Sequence, residues 1–161
     1  LPQQQQAVLQ LSDDFNSQSK DFYIRQQAFR DIATLSGMDS PNANIALVFQ
    51  LMKMLDPTSG VKEGEQAQVR NAAGVPERIR NMYNALLTGT KLGSKERADI
   101  RTTAASIYRT SSQEHKGRID HFTQQAQALH VPANLVVREA APDMTQAAQS
   151  PLDILRGTGG R

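Results

Sequence analysis

Cysteine and tryptophan are absent from this 161-residue chain, aromatic side chains make up 5% of it, and no apolar run approaches the roughly 20 residues that cross a bilayer as a helix. Without cysteine there is no disulfide framework and no thiolate metal site, and the redox compartment leaves no mark on the composition. With so few aromatics the core must be built from Leu, Ile, Val, Met and Ala, which suits helices packed on helices. Alternating Val-, Ile- and Thr-rich runs are missing too, so the chain reads as almost entirely α. What remains is ordinary for a folded domain, with 39% apolar and 21% charged residues.

The densest apolar stretch lies within Ser40–Pro76, SPNANIALVFQLMKMLDPTSGVKEGEQAQVRNAAGVP. At 100° per residue, Ile45, Leu47, Val48, Phe49, Leu51, Met52, Met54 and Leu55 cover roughly 220° of a helix, so that helix needs cover on most sides. Ser40 and Pro41 read as its N-cap and first residue. Asp56-Pro57 repeats the signature and predicts a poorer helix with Gly60 and Gly64 near its start and Ala67, Val69, Ala72 and Ala73 as a small apolar face.

Ahead of this stretch, LPQQQQAVLQ opens a chain with 17 glutamines, and residues 1–12 are expected to be flexible or ordered by a partner. A heptad places Val8, Phe15, Phe22 and Phe29 at one position and Leu11, Gln18, Arg25 and Ile32 at the other, predicting a long first helix over about Asp13–Ser36. It serves either as a seam against a neighbour or as an ordinary amphipathic helix. Because Gln18 and Arg25 sit in that seam, some neighbouring group must supply their partners.

After Gly74-Val75-Pro76, the set Ile79, Met82, Tyr83, Leu86 and Leu87 gives the cleanest amphipathic helix. Ser94 caps a long fifth helix whose stripe, Ile100, Ala104 and Ile107, runs into the polar stretch RTSSQEHKGR and resumes as Ile119, Phe122, Ala126 and Leu129, rotated by roughly 60°. Either a kink near Ser111–Gly117 or an unbroken helix that changes partners accounts for the offset, and the polar stretch is expected to project from the core. Val131-Pro132 ends the element and opens a short turn. Residues 138–161 are tail-like, with Pro142, Pro151, Gly157, Gly159 and Gly160. In that tail Ser150-Pro151-Leu152-Asp153-Ile154-Leu155 has a capping-box pattern over three apolar side chains, either a docking turn at 150–156 or an incidental one. The expected architecture is an all-α helical bundle of about five helices, with a long N-terminal helix, a helical assembly domain over 13–137 and an extended tail over 138–161. Oligomer contacts are expected at Val8, Leu11, Phe15, Phe22, Phe29, Leu152, Ile154 and Leu155.

No catalytic constellation is evident. His115, His121 and His130 are spaced so that no two share a helix face, and surface positions are expected for them. Glu63 with Glu65, or Glu114 with Asp120, could be paired for glycoside cleavage, but that chemistry needs an aromatic-lined cleft that three tyrosines and no tryptophan do not provide. Ser106 and Thr110 near His115 lack the third partner that activates a hydroxyl. No cofactor, metal or small-molecule substrate is expected. Net charge is +2 but unevenly spread, and Arg70, Arg78, Arg80, Lys91, Lys95, Arg97, Arg101 and Arg109 could touch DNA phosphates without reading bases. The same charges, interleaved with Glu and Asp, also fit a solvated helix face.

The run ending MKMLDP at Met52–Pro57, the KEGE stretch at Lys62–Glu65 and NAAGVPERI at Asn71–Ile79 resemble a segment of large virion proteins of tailed bacteriophages, of the internal, DNA-ejection class. In looser form the resemblance covers about Phe22–Val137, and Gly60 departs from it where an apolar residue is expected. It implies a non-enzymatic helical building block of an oligomeric ring or tube, inside the capsid or at the portal or tail, delivered toward the host envelope with the genome. Its partners would be itself, portal or tail components and, in one version, phage DNA. The start at Leu1, with no secretory signal, fits a processed protein or a module of a larger polypeptide. Alternatives are a tail- or tape-measure-associated component, a sequence-independent DNA-binding accessory domain and a peptidoglycan-degrading domain.

Overall fold

The computed structural model describes residues 2–137, and among them every regular element is helical: α1 (Gln3–Leu35), α2 (Pro41–Leu55), α3 (Glu77–Leu87), α4 (Ser94–Ala128) and the short α5 (Ala133–Val136). No helix among the described residues is long and apolar enough to cross a membrane. The expected tail and the turn at 150–156, with Leu152, Ile154 and Leu155, lie outside the described residues. By packing, the chain divides into two units that share α1 and α4.

Residues 2–23 and 110–137 form the first unit. Its apolar centre is Phe15, Phe122, Ala126, Val131 and Val136, edged by Val8, Leu11 and Ile119. Phe15 meets Phe122 edge-on, ring centroids 5.5 Å apart. Because Ala7, Val8 and Leu11 pack against this cluster, α1 starts at Gln3, about ten residues before the expected start, and the glutamine run is helical. α4 ends in a Schellman motif: Val131 N donates to Ala126 O and His130 N to Gln127 O, both at 3.0 Å, with His130 at φ 54° where glycine is usual.

The stretch expected to project from the core does not project. α4 is unbroken through it, and Ser111 and His115 are buried. They continue the seam that runs through Phe122 and Ala126, so the surface position expected for His115 is overturned, whereas His121 and His130 are exposed. His115 stacks on Phe22, with the Tyr23 and Phe15 rings at 5.5 and 5.8 Å, and its Nδ1 lies 3.1 Å from the Arg118 guanidinium. Burial, and secondarily the Arg118 charge, holds the imidazole below its ordinary pKa of 6.5. Across the seam, Ser19 is fully buried.

Ile24–Arg109 forms the second unit. Ser40 caps α2 as expected: its hydroxyl accepts from Ala43 N at 3.2 Å and Pro41 takes the first turn. Leu47, Val48, Phe49, Leu51, Met52 and Met54 are all buried, and α2 packs against α3, where Ile79, Tyr83 and Leu86 face inward. From α1, Ala28, Phe29 and Ile32 are buried, with Phe29 stacked on Tyr108 of α4 at 4.6 Å. Arg25 finds its partner here: Nε donates to Met54 O at 2.9 Å, a carbonyl of α2's last turn that no intrahelical amide reaches. Gln18, the other polar seam residue, is exposed. The helix expected after Asp56-Pro57 is absent, and residues 56–76 have no regular structure.

Candidate interaction site

In place of that helix stands a long loop whose two ends are fastened by one carboxylate. Asp56 Oδ1 accepts from Thr58 N and Thr58 Oγ1 at 3.2 and 2.9 Å, and Oδ2 accepts from Gly74 N at 3.2 Å. Asp56 therefore caps a turn and ties down the far end of the loop instead of capping a helix. Within the loop, Asn71 O accepts from Gly60 N and Ser59 Oγ at 2.9 and 3.0 Å, and Asn71 Oδ1 accepts from Gln68 N at 2.8 Å.

Two side chains of α3 then pin the loop to the unit's core. Asn84 uses both ends of its amide on Ala67, accepting from the N–H and donating to the carbonyl, each at 2.8 Å. Tyr83, itself fully buried, accepts from Gly64 N at 2.8 Å. Val61, Ala67, Ala72 and Val75 are buried, so the small apolar residues expected to form a helix face serve instead as the loop's inner side. Ala73 and Val69 from the same set point outward. These bonds replace the ladder that a helix would have supplied, and Gly64, at φ 89°, takes a conformation no helix allows.

The loop displays Lys62–Gln66 and Gln68–Arg70 to solvent, and Val69, at 65% exposure, is the most exposed large apolar side chain described. Burial raises the Tyr83 phenol above its ordinary pKa of 10.0, with smaller contributions in the same direction from Glu63 and Glu65 and an opposing one from the Gly64 bond. The phenol is thus kept neutral as an acceptor. Long ordered loops with fastened ends commonly carry recognition, because their backbone is fixed before a partner arrives. Among the described residues no group of three or more His, Asp or Glu is arranged to hold a metal ion.

The basic residues singled out from sequence all fall in the second unit. Arg80 and Arg97 are engaged within it: Arg80 donates to Val75 O at 2.9 Å, and Arg97 pairs with Asp39 at 3.3 Å. Arg101 is half-buried, leaving Arg70, Arg78, Lys91, Lys95 and Arg109 exposed, interleaved with exposed Glu63, Glu65, Glu77, Glu96 and Asp99. Of the expected oligomer contacts, Phe15 and Phe22 are buried in the first unit and Phe29 in the second, so the chain's own packing covers these three side chains in place of a neighbour. Val8 and Leu11 stay half-buried. Sequence reasoning missed Asn84, Tyr83 and Asn71 as loop anchors. The only prior signal was the three Gly and two Pro across 56–76, which mark turns as readily as a weak helix. No protein-family model matches the chain, and neither the curated proteins nor the solved structures contain a match to it.

Proposed function

We propose that this chain is a non-enzymatic helical module of a phage virion, acting mechanically within an oligomeric ring or tube that takes part in genome ejection, and that loop 56–76 is the surface through which it engages its partners. Those partners would be further copies of itself and portal or tail proteins. One observation supports the reading: a 21-residue segment without regular structure is fastened by hydrogen bonds from Asp56, Asn71, Tyr83 and Asn84 while presenting Val69 and Arg70 outward. The residues behind the phage resemblance, MKMLDP, KEGE and NAAGVPERI, lie on this loop and its flanks. Light scattering over a range of concentrations tests the reading. Self-association that Val69→Asp abolishes supports it, and a strict monomer that also fails to bind portal or tail proteins overturns it.

A second reading, a DNA-binding accessory domain, is favoured by charge: Ile24–Arg109 holds twelve Lys and Arg against eight Asp and Glu. Phosphate contacts would make affinity fall steeply with salt. Binding that is absent at low salt, or flat as salt rises, removes it.

A further inference from the structure

Between the start of α1 and the α4–α5 turn, the first unit carries an apolar groove of about 450 Å³ lined by Val8, Leu9, Val131, Pro132 and Leu135, with Gln4 and Gln5 along one side. Leu9 and Leu135 are 55% and 42% exposed there, and no lining side chain is charged. That absence extends beyond the groove: residues 2–12 and 121–137, which build this end of the unit, hold no Asp, Glu, Lys or Arg, where the chain's 21% would place about six. On the opposite side of α1 a second cleft holds Asp14 and His121 beside Gln10 and Leu129, so the groove is the side without charge.

That neutrality selects the occupant. Unlike partners are matched by opposite charges that steer and discriminate, and this groove offers none. A two-fold contact between copies sets each group against itself and its neighbours, so a face of one charge repels its twin and a neutral face does not. Gln4 and Gln5 suit the same geometry, because each amide both donates and accepts and can pair with its own kind, as an ammonium or a carboxylate cannot. Covering Leu9 and Leu135 supplies the gain, with no charge to desolvate. We propose that two copies of the chain pair face to face through this groove, Leu9 and Leu135 of each entering the groove of the other. Seventeen residues of 2–12 and 121–137 are exposed, on all sides of the helices, against roughly 20–30 a side in a stable pair. The contact is therefore weak, with a dissociation constant on the order of a millimolar. It lies apart from loop 56–76 and does not rest on the reading above.

The test uses the full chain carrying Val69→Asp, so that loop 56–76 plays no part, with its amides followed by NMR from about 1 mM down to about 20 µM protein. The expected result is a set of shifts that move with concentration at residues 4–9 and 131–135 and stay fixed in the second unit. Adding Leu9→Lys or Leu9→Glu should weaken pairing at least about tenfold, since either sets like charges against each other across the contact. Mixing the Lys and Glu chains should restore it, because opposite charges then meet. Leu129→Lys is the control: Leu129 is 50% exposed at the same end of the unit but lines the other cleft, and its change should leave pairing within about twofold. Circular dichroism verifies that each variant is folded. Groove shifts that ignore concentration, an equal loss in Leu129→Lys, or no recovery on mixing would overturn the assignment. So would groove shifts that appear only on adding uncharged phosphatidylcholine vesicles, which would give the groove to a lipid surface instead.

Discussion

Phe22 and His115 stack face to face, their ring centroids 4.0 Å apart and their planes 9° from parallel. An imidazole in that position is favoured neutral, because burial withholds water from the cation and Arg118 stands at its Nδ1. The folded pKa lies below the unfolded value, so the unfolded state binds more protons as pH falls. Stability from this site is complete above pH 6.5 and is lost as pH drops below it toward the folded pKa. Hydrogen exchange of first-unit amides between pH 7 and pH 5 checks this, and His115→Phe should flatten the profile. An unchanged slope in that variant would remove His115 as the cause.

Gly64→Ala tests whether the loop is truly fixed. Space around Gly64 is open, so the added methyl meets no neighbour, and its cost comes from φ 89° alone. A loss of about 1–2 kcal/mol is expected by urea unfolding. A neutral result would mean the turn relaxes at no cost. Tyr83→Phe should cost less, about 0.5–1.5 kcal/mol, because water can reach the Gly64 amide once the phenol is gone.

Arg25→Met keeps most of the side chain's bulk and deletes the donor to Met54 O. The expected loss is about 1.5–3 kcal/mol, the usual range for a hydrogen bond to a charged group, read from the midpoint and slope of urea unfolding. A smaller loss would show that the α2 terminus finds other donors.

His130 is predicted to be a site of gain. α3 closes with the same pair of bonds as α4, Thr90 N to Ala85 O and Gly89 N to Leu86 O, but with glycine at φ 101° in the left-handed position. Placing glycine at the equivalent point of α4, His130→Gly, should raise stability by about 1 kcal/mol in thermal unfolding. A decrease would indicate that the imidazole makes a contact worth more than the strain.

Much of the fold was legible because local signals and burial agreed. Ser40-Pro41, the apolar arc of α2 and the spacing of Ile79, Tyr83 and Leu86 all led to the elements found. In α4 the seam is continuous through Ile100, Ala104, Tyr108, Ser111, His115, Ile119, Phe122 and Ala126, in steps of three and four. Reading Ile107 in place of Tyr108, and treating serine and histidine as surface residues, produced the false offset and the expected projection. The loop was illegible for a different reason. Asp56-Pro57 and the spaced alanines satisfy a helix pattern, whereas the bonds that hold the loop come from Asp56, Asn71, Tyr83 and Asn84 across distances the local pattern does not record. The phenylalanine seam was read as reaching another molecule because periodicity records which side chains need cover without recording who provides it.

The grip of Asp56 on Gly74, eighteen positions apart, separates the length of the intervening chain from the placement of the helices on either side. Residues grafted between Glu65 and Gln66, between the Gly64 and Ala67 anchors, would enlarge a ring that is already shut, and doubling such a ring costs only about 0.6 kcal/mol in closure entropy. The same scaffold can therefore carry tips of different size and wording without retuning its interior.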